Sequence, residues 1–290
     1  METTRKLFEL LDEEDARILK SNFDDIAEIR MRIGRPVRFC CLQGKELSGK
    51  IIGANQFRRI LNRLMDNSLY SREEELKQGY FTTADGWRVG VCGKMLAGRA
   101  GVDNLANIGS VCIRIPREIQ GCAAVIYEKT MGKGLSNVLL LSQPGIGKTT
   151  LLRDLARIAS NDGWNVAIAD ERREIAACME GVPQLDVGAR TDVMDGCPKK
   201  ISFTMLIRSV KPDLLIADEI GGPGDRDAIV DAMNSGVCVA ASAHARNIEQ
   251  AGNRESIAPV LRDALFDWCV LLGPGRGCVK QIIPMHKCAD

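Results

Sequence analysis

Aromatic residues are scarce in this chain of 290, with three Trp, three Tyr and seven Phe making up 4%. A surface that stacks successive unpaired bases needs aromatics interleaved with basic side chains, so single-strand binding is disfavoured. Charge of one sign is lacking too: 39 Lys and Arg stand against 38 Asp and Glu, which argues against a strongly cationic nucleic-acid binder. No apolar run approaches the ~18 residues that span a bilayer, so the protein is expected to be soluble or at most peripheral. The first twenty residues are charged throughout and hold no apolar stretch followed by a small-residue cleavage site. Without an export signal, the 11 cysteines are expected to be reduced and mostly buried thiols. None falls in a CxxC pair, so no zinc template is present. Histidine occurs only at His244 and His286.

What is present is ordinary globular usage, 45% hydrophobic and 27% charged. The length gives a prior of two domains, each able to bury a core without staples. Residues 1–130 carry an excess of three basic residues and residues 131–290 an excess of two acidic ones. That asymmetry permits an acidic partner or a membrane surface without requiring either.

Hydrophobic periodicity separates the two halves. Residues 4–20 predict one amphipathic helix, with Leu7, Phe8, Leu11, Ile18 and Leu19 among charges. At 28–34, Ile29, Met31 and Ile33 alternate with Arg30 and Arg32, a half-buried strand ending in a turn at Gly34, Arg35 and Pro36. Residues 37–42 form its hairpin partner. Residues 54–70 have helical spacing through Phe57, Ile60, Leu61 and Leu64. A second hairpin is expected over 81–91, turning at 84–86, and a short strand over 113–115. This small mixed α+β unit is assigned to residues 1–130. From 131 the pattern changes to apolar strands at 138–141, 166–169, 214–217 and 237–240, with helices at 148–158, 203–210 and 226–234. Continuous apolar strands separated by helices indicate an α/β domain with a mostly parallel sheet covered on both faces. It is assigned to 131–290, behind a glycine-bearing joint at Gly132 and Gly134.

The strongest chemical signal follows the first of these strands. Ser142, Gln143, Pro144, Gly145, Ile146, Gly147, Lys148, Thr149 and Thr150 run from strand to helix in the manner of a P-loop. Glycines let backbone N–H groups curl around phosphate, and the helix N-terminus adds its positive dipole end. Lys148 would neutralise the β and γ phosphates of ATP, and the Thr149 hydroxyl would ligate Mg²⁺. Ser142 stands where the G-x-x-x-x-G-K-[ST] pattern has its first glycine. A small residue serves there if its φ stays negative.

Downstream carboxylates agree with this reading. Asp218 and Glu219 end an apolar strand, a costly place for acids unless they face a cation or a reacting water. Asp218 could hold Mg²⁺ through water and Glu219 could polarise the attacking water. Asp170 and Glu171 repeat the arrangement one strand away, although Arg172 and Arg173 could simply pair with them. His244 lies beyond another strand end, where open α/β sheets place ligands, and could sense the γ phosphate. His286 has no such context. Arg30, Arg32, Arg35, Arg190 and Arg208 could stabilise transition-state charge. The matched pair Arg30 and Arg32 is preferred, supplied across a subunit boundary.

The 81–90 segment, the 28–36 stretch, the acidic-basic run 170–175, the segment 191–198, and 207–213 with 218–221 together resemble the stage III sporulation protein AA family. That family is similar to the secretion-superfamily ATPases of type II and type IV systems and of type IV pili. The resemblance covers essentially the whole chain. It implies a RecA-like P-loop NTPase domain behind a smaller N-terminal domain, assembled as a homo-hexamer. It further implies a cytoplasmic, mother-cell position peripheral to the outer forespore membrane, where the ATPase energises a channel through membrane-embedded subunits of the sporulation secretion complex. By position, Lys148 and Thr149 match the Walker A residues, Glu219 the Walker B glutamate, Asp170 and Glu171 the Asp box, and His244 the His box. The neighbourhood of His244 departs from the Leu-His-Thr common among pilus relatives. The competing reading is a P-loop ATPase associated with single-stranded nucleic acid, with Arg58, Arg59 and Arg63 as its best patch. A solvated helix face explains that cluster equally well, and a nucleic-acid partner is not expected. A scaffold that binds nucleotide without turnover would not need Glu219.

Overall fold

The computed structural model describes residues 2–42, 44–65, 76–77, 79–83, 87–98, 101–115, 119–222, 224–273, 275 and 277–285. The chain divides into two compact units, Met1–Arg117 and Glu118–Asp290.

The first unit opens with α1 (Glu2–Leu10) and α2 (Glu13–Ser21), not the single helix expected over 4–20. Asp12 is the reason for the break. Its carboxylate accepts from the N–H groups of Glu14 and Asp15 at 3.2 Å each and so starts a new helix. α3 (Ala54–Leu64) buries Phe57, Ile60, Leu61 and Leu64 at the spacing read from sequence; the remainder of the expected 54–70 helix beyond Met65 lies outside the described residues. The strands are β1 (Ile26–Arg32), β2 (Pro36–Cys41), β3 (Glu46–Ile51), β4 (Tyr80–Thr82), β5 (Arg88–Gly98) and β6 (Gly101–Arg114). They form an antiparallel sheet in the order β3-β2-β1-β6-β5-β4. Ile29, Met31, Val37, Phe39, Val89, Val111 and Ile113 share one core with Leu7, Leu19, Phe57 and Ile60 from the helices. The turn expected at 84–86 lies outside the described residues. β6 is far longer than the strand expected over 113–115, because it pairs along almost all of β5. Pairing of that kind leaves no local hydrophobic signal.

The second unit begins earlier than the expected residue 131. α4 (Ala124–Thr130) buries Ile126 and Tyr127 in the same core as Leu151 and Leu155 of α5 (Lys148–Asn161). Asp154 fastens the segment by accepting from Gly121 N at 3.0 Å and Ala123 N at 2.8 Å. Gly132 and Gly134 therefore sit inside this unit and not at a joint between units. A Cβ at Gly132 would come within 2.7 Å of the Glu128 carbonyl oxygen, so close packing explains that glycine.

The seven strands are β7 (Val138–Ser142), β8 (Val166–Asp170), β9 (Thr191–Asp195), β10 (Leu214–Ala217), β11 (Cys238–His244), β12 (Trp268–Leu272) and β13 (Val279–Pro284), in the order β13-β12-β7-β11-β10-β8-β9. All neighbours are parallel except β12 and β13. Alternation assigns Leu139, Leu141, Leu215 and Val239 to the face covered by α6 (Lys199–Ser209) and α7 (Asp225–Asn234). Val138, Leu140, Leu214 and Ile216 face α4 and α5. Two short helices, α8 (Ile248–Gly252) and α9 (Ala258–Arg262), lead from β11 to β12. The expected parallel sheet with two covered faces is thus observed, and β9, β12 and β13 are strands the periodicity did not reveal, β9 and β13 forming its edges.

Among the described residues the ten cysteines are free thiols, and no helix is long and apolar enough to cross a membrane.

Candidate functional site

The 142–150 loop, Asp218, Glu219 and His244 converge at the C-terminal ends of β7, β10 and β11. β7 ends at Ser142, which is buried and does not adopt a positive φ, as the sequence reading required. Gly145 at φ +77° and Gly147 at φ +100° then take the left-handed conformations that glycine adopts without steric cost. They turn the chain directly into α5, whose first N–H groups lack intrahelical acceptors and carry the positive dipole end.

Lys148 is 5% exposed. Its Nζ donates to Ser142 Oγ at 3.3 Å and to the Gln143 carbonyl at 3.4 Å, and lies 2.9 Å from His244 Nδ1. Ser142, the departure from the glycine pattern, thus supplies a resting place for the lysine. An ammonium can only donate, so Nδ1 accepts and the imidazole proton sits on Nε2. That nitrogen donates to Glu219 Oε1 at 2.7 Å. Burial and the neighbouring Lys148 ammonium hold His244 below its ordinary pKa, which suits a neutral ring. Burial likewise lowers Lys148, opposed by the Asp218 carboxylate.

Asp218 joins three elements. Oδ2 accepts from the Thr149 hydroxyl at the start of α5, and Oδ1 accepts from the Ser242 hydroxyl of β11 and, at 2.9 Å, from Glu219 N. Glu219 N also donates to Ser242 Oγ at 3.1 Å. These bonds hold Glu219 at φ +49°, a left-handed conformation that costs a non-glycine residue about 1–2 kcal/mol. The kink turns the side chain toward His244 instead of continuing β10. Thr149 and Asp218 offer two hard oxygens side by side. That set fits Mg²⁺, which binds through one or two protein oxygens and takes the rest from phosphates and water. No cluster of three or more His, Cys, Asp or Glu among the described residues could hold a metal unaided.

Asp170, expected as a catalytic carboxylate, ends β8 and is bonded to the loop that follows it. It is 2% exposed, and its carboxylate accepts from Glu174 N at 2.8 Å, Ala176 N at 2.9 Å and Ile175 N at 3.1 and 3.2 Å. Burial still raises its pKa against those donors. Both oxygens are committed to folding back the loop after β8, so Asp170 shapes the site from beneath. Glu171 pairs with Lys199 at the start of α6. Arg172 does not pair with either acid of its own run. Its Nη1 reaches Glu219 Oε2, while Arg173 pairs with Asp195 at 2.9 Å. Glu171, Arg172, Lys199, Lys200, Glu219 and His244 line a cleft of about 450 Å³. A second cleft, of about 470 Å³, is bordered by Gln143, Ile146, Arg246 and Lys280.

The arginine candidates are distributed unevenly. Arg190 precedes β9, at the N-terminal end of the strands. Arg208 lies in the last turn of α6, a helix of about 16 Å whose first residue, Lys199, is already at the site. Both therefore lie at the far end of the sheet from Lys148. Arg30 and Arg32 lie on the outer face of β1 in the first unit, opposite buried Ile29 and Met31. Arg30 is engaged by Glu28 at 2.8 and 3.0 Å, and Arg32 and Arg35 are exposed. Arg58, Arg59 and Arg63 occupy the exposed face of α3. His286 lies outside the described residues.

Two residues of the site escaped sequence reasoning. Ser242 carried a usable signal, being a hydroxyl in the apolar run of β11 two positions before His244 and so on the same side of the strand. The Arg172 contact carried none, since its partner is 47 residues away.

A family model described as sporulation stage III, protein AA matches residues 1–284. The chain belongs to that family. Its similarity to stage III sporulation protein AA of Bacillus subtilis strain 168 is 40% identity over 266 residues, spanning 89% of this chain and 86% of the relative. Among solved structures, the ATPase DotB of Yersinia pseudotuberculosis aligns with a TM-score of 0.65 at 14% identity, covering 96% of this chain and 81% of that one. The pilus retraction motor PilT with bound ADP aligns with a TM-score of 0.61 at 14% identity, covering 94% and 83%. At that identity the likeness is one of fold, so this member of the sporulation family shares an α/β architecture with DotB and PilT.

Proposed function

We propose that this protein hydrolyses ATP with Mg²⁺ at the Lys148–Thr149 loop of a RecA-like P-loop domain. The hydrogen bond from Thr149 to Asp218 carries the reading. It places the hydroxyl that follows the loop lysine against a strand-end carboxylate, with Glu219 one residue on. Nucleotide phosphates take the helix N-terminus and Lys148, and Mg²⁺ held near Thr149 and Asp218 supplies charge neutralisation at the phosphate oxygens. Glu219 accepts a hydrogen bond from the attacking water. The water oxygen bonds to the terminal phosphorus as the bond to the bridging oxygen breaks, and His244 keeps the glutamate aligned. Asp170 and Glu171 act by holding the loop that borders this cleft. Family membership and the secretion-ATPase fold support a homo-hexameric motor, peripheral on the mother-cell side of the outer forespore membrane, that energises a channel built by membrane-embedded sporulation subunits. In such a ring Arg30 and Arg32 of one copy would complete the site of the next, a heterologous contact that closes on itself.

The test is phosphate release from ATP across a range of protein concentrations, with and without single-stranded DNA. Turnover is expected to rise faster than linearly with protein, ignore DNA, vanish in Lys148→Ala and fall about 10²–10⁴-fold in Glu219→Gln. Full turnover in Glu219→Gln would remove that residue from the chemistry. Dependence on DNA would replace the motor by a nucleic-acid-stimulated ATPase.

A further inference from the structure

Both oxygens of Glu219 are engaged by protein donors, Oε1 by His244 Nε2–H and Oε2 by the Arg172 guanidinium. His244 is itself tied to Lys148. A continuous array therefore runs from the phosphate-binding lysine through His244 and Glu219 to Arg172. Its two ends differ. Lys148 is buried, whereas the Arg172 side chain is 59% exposed, and Glu219 is its one partner among the described residues.

The backbone beneath Arg172 is pinned on both sides. Asp170 holds the N–H groups of 174–176, Glu171 is paired with Lys199, and Arg173 with Asp195. The guanidinium can thus change partner by side-chain rotation while the loop stays in place. A terminal phosphate beside Lys148 would lie next to His244 and Glu219, in the cleft that Arg172 also borders. There it competes for the guanidinium with more negative charge and more acceptor oxygens than one carboxylate offers, a geometry guanidinium groups favour.

Resting on the nucleotide reading above, we propose that Arg172 is a latch selective for the terminal phosphate. Without nucleotide, or with a diphosphate bound, it holds Glu219 Oε2. With a triphosphate bound it moves to the γ phosphate and frees that oxygen to receive the attacking water. Occupancy of the loop alone then does not release Glu219; the third phosphate does. The same exchange makes the site prefer triphosphate to diphosphate.

Equilibrium binding of a non-hydrolysable ATP analogue and of ADP, with Mg²⁺, to the full chain tests this. Arg172→Ala is expected to weaken the analogue by about ten- to a hundred-fold, the range for a charge-assisted hydrogen bond, and to leave ADP within about two-fold. Arg172→Lys is expected to recover part of the loss. Unchanged ADP binding also reports that the variant is folded, as expected for an exposed side chain. If both ligands weaken equally, or neither changes, Arg172 is not the latch. If the unaltered protein binds neither ligand, the nucleotide reading fails, and the latch with it.

Discussion

Asp170 offers the sharpest separation between what residue type suggests and what geometry shows. Replacing it with alanine removes the acceptor for three backbone N–H groups, those of Glu174, Ile175 and Ala176. Ile175 and Ala176 are fully buried, so water cannot substitute. A buried donor left unsatisfied costs about 1–3 kcal/mol. The three share one acceptor group and the loop can relax, so the total is expected at about 3–5 kcal/mol. For a unit of this size each kcal/mol moves the midpoint by about 2–4 °C, so thermal unfolding should shift down by about 6–20 °C. Asp170→Asn retains one acceptor oxygen but turns an NH₂ group toward the same donors, and is expected to recover less than half of the loss. Differential scanning calorimetry of the full chain measures both. The reasoning is refuted if Asp170→Ala unfolds at the same temperature as the unaltered protein yet has lost turnover. Such a protein would be using Asp170 for chemistry.

Ser242→Ala removes the hydroxyl that donates to Asp218 and accepts from Glu219 N. Nucleotide affinity should change little while turnover falls about ten-fold or more, because the left-handed backbone at Glu219 loses a support; an equal loss of affinity and turnover would contradict this. Glu28 provides a pH test in the first unit. Burial pushes its carboxyl up, but hydrogen bonding and charge from Arg30, with the Cys112 thiol and Arg114, more than offset this and hold it below its ordinary value of 4.5. A carboxylate depressed by folding contributes stability above its unfolded value, and that stability is lost as the pH falls through the folded value. Denaturant melts between pH 7 and pH 3 should therefore show a steeper acid loss in the unaltered protein than in Glu28→Gln, and identical slopes would remove Glu28 from the account.

Local order within the sequence explains which features were legible. The loop from Ser142 to Thr150 carries its own geometry, since two left-handed glycines and a helix start need no distant partner. The central strands were readable because a buried parallel strand is a short apolar run in any context. By contrast, the break between α1 and α2 depends on one carboxylate at Asp12, and the length of β6 depends on pairing with β5. Neither changes the hydrophobic period. The acid pairs illustrate the same limit at the site. Asp170–Glu171 and Asp218–Glu219 read alike, each closing an apolar strand. After Asp218 the chain kinks at once, and Ser242 from the neighbouring strand fixes the kink. After Asp170 it loops back far enough for residues 174–176 to cap the carboxylate. The difference lies in the chain that follows, so similar strand-end patterns acquire different surroundings: Asp218 meets Thr149 and Ser242, whereas the Asp170 carboxylate is taken up by its own loop.

The array from Lys148 to Arg172 also explains how a buried lysine is accommodated. An ammonium at 5% exposure needs acceptors, and here it takes Ser142 Oγ, the Gln143 carbonyl and a neutral imidazole. Only the imidazole passes the consequence onward, because its second nitrogen is bonded to Glu219. Drawing Lys148 toward an anion leaves His244 Nδ1 without its donor, and the ring must find another or move. Glu219 is then held on one side by a histidine whose support has changed and on the other by an exposed arginine with a stronger acceptor nearby. Under the proposed nucleotide reading, the arrangement would couple phosphate occupancy to the position of the glutamate through these four side chains. A His244→Ala variant would cut that coupling while leaving Lys148 its two oxygen acceptors. Such a variant should still bind ADP, and it should lose turnover even where Arg172 is intact.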